Sequence, residues 1–129
     1  MEASMEKFFY LLMFFCHIID DYKLQAGVLN NLKCASWWKT NAPDPKYRND
    51  YLIGLIMHGM SWSFMIMLPI AIFYRFNVPD VFVFAWAINA AVHSIIDDLK
   101  ANKGKINLIQ DQLLHMVQIA LTGWYFFYA

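Results

Sequence analysis

Charge is scarce in this chain. Asp, Glu, Lys and Arg together make up 16% of its 129 residues, and they cancel to a formal net charge of zero. A soluble domain ordinarily carries about 25% charged residues. The balance gives no basic footprint, so nothing in the charge points to nucleic acid. Cysteine is nearly absent. Cys16 and Cys34 make neither a disulfide framework nor a metal knuckle, and they read as packed or exposed thiols. There is no phosphate-binding loop, nucleophile motif, internal repeat or low-complexity tract. The first residues, Met1 to Lys7, have no positive excess, and no small-residue cleavage site follows the apolar run. The expectation is a retained first transmembrane helix rather than a cleaved leader.

What abounds is apolar: 60% of the residues are hydrophobic and 18% aromatic. The length suits one domain, and in a bilayer it suits about four helices of about 20 residues. Phe8 to Ile19 is an unbroken apolar run, expected to continue as helix through Asp20 to Leu32. Residues 33–49 form the longest connection. Pro43 and Pro45 exclude helix there, and Trp37 and Trp38 suit a headgroup boundary. The second span is Tyr51 to Phe76, with Pro69 expected to kink it. Pro79 suits the opening of the third span, which begins near Val81 and ends near Leu99. Gly104 is placed to end a helix, and Asn107-Leu-Ile-Gln110 has the form of a capping box. The fourth span closes on the aromatic belt Trp124 to Tyr128. The expected architecture is all-α, a single integral-membrane four-helix bundle over 1–129, with helices near 5–32, 50–76, 80–100 and 107–128.

Lys33, Lys39, Lys46, Arg48, Lys100, Lys103 and Lys105 fall on one side of such a bundle, and Lys7 and Arg75 on the other. The positive-inside rule places the first side in the cytoplasm and both termini outside, in a multi-pass protein of a bacterial inner membrane.

The polar residues inside the spans carry the chemistry. Asn89, His93, Asp97 and Lys100 make one stripe on an apolar helix. His17 and Asp21 share the four-residue spacing, and Asp111 and His115 reverse it. His58 lies about two turns into the second span. All seven imidazoles and carboxylates are expected at one depth, near the cytoplasmic side. Ionisable groups in a membrane need a partner or a pathway. Three explanations are open: a metal site, a metal-free polar network or proton relay, and bis-histidine haem ligation, which would leave the aspartates unused.

In the metal reading His17, Asp21, His58, His93, Asp97, Asp111 and His115 hold one or two divalent ions, with zinc the first expectation and manganese or iron the alternatives. Asp111 or Asp21 takes a proton, and Lys100 meets negative charge on the substrate or simply snorkels to the interface. Gln25 and Gln112 orient ligands or face water. Asp20 and Asp98 turn away from the paired aspartates and read as boundary charges. Gln118 and Thr122 continue the fourth-span stripe deeper. The expected function is metal-dependent hydrolysis of a phospho- or acyl-ester, lipid-like or otherwise membrane-delivered, at the cytoplasmic face. Alternatives are a cation- or proton-conducting or metal-transport module, and a phage protein acting on a host membrane complex. The expected partners are membrane lipids and no nucleic acid, and a homo-oligomer is left open.

The four motifs in order, His17-x-x-x-Asp21-Tyr-x-Leu24-Gln25, His58-Gly59, His93-x-x-x-Asp97-x-x-Lys100 and Asp111-Gln112-x-x-His115, resemble those of a family of small bacterial and phage membrane proteins, domain-of-unknown-function family number 3307. The resemblance covers nearly the whole chain and implies a polytopic inner-membrane protein. It implies no reaction. Tyr22 stands where that family commonly has phenylalanine. A weaker analogy links the chain to membrane-bound metal-dependent hydrolases, which also gather histidines and aspartates near one membrane face.

Overall fold

The run from Phe8 to Ile19 contains no helix breaker, and helix α1 extends over Glu2–Ile19. The computed structural model describes residues 2–129 and is all-helical, with no strand among them. The expected helix over 5–32 is not continuous. After α1 the chain widens into a π-helical turn, Asp20–Leu24, closed by the Gln25 N–H donating to the Asp20 carbonyl at 3.0 Å. Gly27, at φ 89°, then takes a conformation that a side chain disfavours. Only beyond it does α2, Val28–Leu32, begin.

The long connection holds α3, Ala35–Asn41, which stops short of the two prolines. A single 3-10 turn, Pro45–Tyr47, leads into α4, Tyr51–Phe73. Helix α5 spans Val81–Ala101 and α6 spans Leu108–Tyr128. Gly104 has φ 59° at the expected helix end, and the Asn107–Gln110 capping box is formed in both directions. Such a cap contributes about 1 kcal/mol.

Helix α4 is central. It packs on α1, α2, α5 and α6, and α6 also packs on α1 and α5. Its contact with α2 is unusually close. A Cβ at Gly54 would lie 2.3 Å from the Leu32 carbonyl, so only glycine admits α2 at that distance.

The interior is divided along its length. Toward the 74–80 turn it is apolar: Met13, Trp62, Ile66, Met67, Ile70, Ile119, Phe126 and Phe127 form one cluster. Toward the 20–50 connection it is polar. Outside, large apolar side chains are exposed. Phe8, Leu11, Phe15 and Ile18 of α1 are exposed, as are Leu113, Val117, Leu121 and Trp124 of α6. Two helical stretches, Pro45–Phe73 and Val81–Ala101, are long and apolar enough to cross a membrane.

Candidate metal centre

All four long helices deliver polar side chains to the polar half of the interior. His17 comes from α1, Asp20 and Asp21 from the wide turn, His58 from α4, His93 and Asp97 from α5, and Asp111 and His115 from α6. His17, Asp20, His58, His93, Asp97, Asp111 and His115 are each at most 2% exposed, and the Asp21 side chain keeps 12%.

Asp97 is the hub. Its Oδ1 lies 3.2 Å from His115 Nε2, and its Oδ2 lies 2.8 Å from His58 Nε2. His93 Nε2 is 3.8 Å from Oδ1. Asp21 Oδ1 is 3.8 Å from His58 Nε2, and Asp111 Oδ1 is 3.3 Å from His115 Nε2.

Two glutamines decide what these histidines present. Gln25 turns its amide NH2 to Asp20 and to the His58 carbonyl, the latter at 3.1 Å. Its oxygen, 2.5 Å from His58 Nδ1, must therefore accept, so Nδ1 carries the proton. Gln118 does the same for His115. Its NH2 donates to the Asn89 backbone carbonyl and Oδ1, both at 3.1 Å, and its oxygen faces His115 Nδ1 at 3.3 Å. In the neutral form each ring then turns a bare Nε2 lone pair toward Asp97. That juxtaposition of acceptors calls for a cation between them, whether proton, ammonium or metal.

His93 is the more exposing case. It is 0% accessible, yet neither ring nitrogen has a hydrogen-bond partner. The rings of Trp62 and His115 both lie against it, with centroids 4.1 Å from its own and 5.3 Å from each other. Asp21 Oδ1 and Asp111 Oδ1 are likewise buried without a hydrogen bond; the Asp111 contact with His115 has the distance but not the alignment. Leaving a buried polar group unpaired costs about 1–3 kcal/mol. Two overlapping donor sets take in the orphans of His93 and Asp21, namely Asp21–His58–His93 and His93–Asp97–His115, in each of which the donor atoms lie within 4.8 Å of one another; Asp111 is in neither set. This buried His/Asp cluster has the donors to hold a metal ion.

His17 departs from its expected role as a ligand. Trp62 Nε1–H donates to its Nδ1 at 2.7 Å, and its Nε2 lies 3.0 Å from Gln112 Oε1. Gln112 in turn donates to Asp111 Oδ2 at 2.9 Å. Both nitrogens of His17 are occupied, so it braces Trp62 and, through Gln112, Asp111. Asp20 also departs from expectation. The π turn rotates it inward, where it accepts from Gln25 and from Ser61 at 3.1 Å.

Lys33 is the residue that the sequence placed elsewhere. It reads as part of a polar connection, yet it is 6% exposed, with Nζ 2.7 Å from Asp97 Oδ2 and 3.5 Å from His58 Nε2. Asn102 fixes this corner, donating to the Lys33 carbonyl at 3.0 Å and accepting from Ala35 N–H at 2.7 Å. Lys100 is where its stripe predicts, 2.8 Å from Asp111 Oδ2. Four carboxylates, of Asp20, Asp21, Asp97 and Asp111, thus face two ammonium groups. With neutral histidines, two negative charges are left over.

A cavity of about 360 Å³ reaches the cluster from the side of the long connection, and Asp21, Lys33, His58, Asp97, Lys100 and Gln112 line it. A separate polar string leads the other way: His115 to Gln118, Gln118 to Asn89, and Asn89 Nδ2 donating to Thr122 Oγ1 at 2.9 Å. No family model, curated protein or solved structure matches the chain, so its chemistry rests on this geometry.

Proposed function

We propose that the chain is a multi-pass membrane protein whose four long helices form a membrane-spanning bundle around a divalent-metal centre. The apolar exterior of α1 and α6 supports the bundle, because these two helices turn polar groups such as His17 and Asp111 inward yet expose leucine and phenylalanine. The lysine-rich side is cytoplasmic by the positive-inside rule, in a bacterial inner membrane, with both termini outside. One observation carries the metal centre: fully buried His93, with two unpartnered nitrogens, beside carboxylates that outnumber the local ammonium groups.

Asp21, His58, His93, Asp97, Asp111 and His115 are the ligand candidates, with His93 common to the two donor sets and Asp97 touching both His58 and His115. Zinc suits the imidazole and carboxylate donors, and manganese or iron would also be accommodated. A cation held there supplies Lewis acidity toward water and toward a phosphoryl or acyl oxygen. The proposed reaction is hydrolysis of an ester reaching the cavity from the cytoplasmic interface. Asp21 is the better placed proton acceptor, because it lines the cavity and keeps some exposure. Asp111 is held by Lys100 and Gln112 and is better suited to ligation.

A second reading, cation or proton transfer through the same cluster, is favoured by the string from His115 to Thr122. The experiment is purification in detergent without chelators, metal analysis, and assay of wild type and His93→Ala on a generic phosphate ester and in liposome flux. Stoichiometric metal with His93-dependent hydrolysis supports the hydrolase. His93-dependent flux without hydrolysis supports the second reading. Metal-free wild type overturns the metal centre.

A further inference from the structure

The cavity beside the cluster has two features that the metal reading leaves unused. Its donors are already engaged, and its exposed lining includes apolar side chains. Lys33 Nζ is tied to Asp97 Oδ2 at 2.7 Å, and Lys100 Nζ to Asp111 Oδ2 at 2.8 Å. Both ammonium groups therefore neutralise carboxylates that a metal ion would claim. Tyr22 and Leu108 of the lining are each 57% exposed, alongside exposed Asn30.

We infer that this cavity binds the dianion of a phosphate monoester, through Lys33 and Lys100, and that it does so only when the metal sites are filled. The inference rests on the metal centre proposed above. A cation in the His93–Asp97–His115 set draws Asp97 from Lys33, and Asp111, whose Oδ1 lies 3.3 Å from His115 Nε2, is near enough to be drawn from Lys100 as an added ligand; both ammonium groups are then left facing the cavity without partners. A buried or half-buried ammonium needs a counter-charge. With one divalent ion in each donor set, the four carboxylates and two lysines leave two net positive charges. A phosphate monoester dianion supplies that charge, and its three terminal oxygens can accept from separate lysines. Lys33 approaches from the connection and Lys100 from α5, so the two donors converge from different elements. Exposed Tyr22 and Leu108 of the lining suit the ester's organic substituent, which a lipid or a free metabolite can equally provide.

The test uses the full chain in detergent micelles, loaded with manganese or stripped with chelator, with metal content measured in every sample. Radiolabelled inorganic phosphate is the first probe in equilibrium dialysis, and short-chain phosphatidic acid is the competitor, with short-chain phosphatidylcholine as control. The metal-loaded chain is expected to bind one phosphate, and stripping is expected to weaken binding at least about tenfold. Lys100→Gln should keep its metal and lose phosphate affinity by a similar factor, and Lys100→Arg should retain both. Displacement by phosphatidic acid but not phosphatidylcholine supports a lipid as the source of the monoester. Phosphate binding without that displacement supports a soluble one. Metal uptake without phosphate binding overturns this inference and leaves the metal centre standing. Phosphate binding that is indifferent to stripping or to Lys100→Gln also overturns it. A chain that takes up no metal overturns both.

Discussion

Lys33 Nζ lies 2.7 Å from Asp97 Oδ2, a buried ion pair between residues 64 positions apart. It joins the connection after α1 to the hub of the polar cluster. The same ammonium is 3.5 Å from His58 Nε2, so it sits where a metal ion held by His58 and Asp97 would exert like-charge repulsion. Lysine and a metal ion would be competing counter-charges for one carboxylate.

Lys33→Met should therefore be strongly destabilising only without metal. Removing one partner of a buried pair costs about 3–5 kcal/mol. Thermal unfolding in detergent should show a large loss of Tm in chelator and recovery of most of it with manganese or zinc. A variant as stable as wild type in chelator would show that Asp97 does not depend on the ammonium.

Gln25 and Gln118 set the tautomers of His58 and His115, so their effect should appear in affinity. Gln25→Leu and Gln118→Leu should each weaken metal binding by about 10–100-fold while the helical content stays unchanged. Calorimetric titration against a competing chelator measures this. Wild-type affinity in both variants would remove the glutamines from the account of the site.

His17 and His93 should behave differently despite sharing the same sequence pattern. His17→Phe loses the bonds to Trp62 and Gln112 and is expected to lower stability by about 1–3 kcal/mol, with metal stoichiometry retained. His93→Ala should lose at least one bound ion. Metal content per chain, with unfolding midpoints alongside, separates the two. Equal loss of metal in both would restore His17 to the ligand set.

Gly54→Ala tests the corner that delivers Lys33. The added Cβ would meet the Leu32 carbonyl at 2.3 Å, and neither backbone can yield without shifting α2. Overpacking of this kind costs about 1–3 kcal/mol. Hydrogen exchange across 28–34 should accelerate, while the α5 amides near His93 stay protected. Unchanged exchange would mean that the contact is not needed to hold Lys33.

The stripes on single helices were legible because their geometry is local. His93 and Asp97, or Asp111 and His115, share a face whatever the rest of the chain does. The capping box at Asn107 was legible for the same reason. Lys33 was not, because its burial depends on Gly54, Asn102 and the bend at Gly27 acting together across the fold. A regular 3.6-residue turn points Asp20 away from the cluster, and nothing in the sequence announces that the backbone widens there into a π turn. Spacing alone groups His17 with the ligands, and spacing carries no information about Trp62 and Gln112 claiming its two nitrogens.

The most direct measurement is anomalous scattering from crystals of the chelator-free protein, recorded on either side of the zinc, manganese and iron absorption edges. The expected result is a peak within about 2.0–2.3 Å of His93 and of a carboxylate oxygen of Asp97 or Asp21, with the Lys33 ammonium displaced from Asp97. A density-free cluster in which Lys33 still bridges Asp97 and His58 would contradict it.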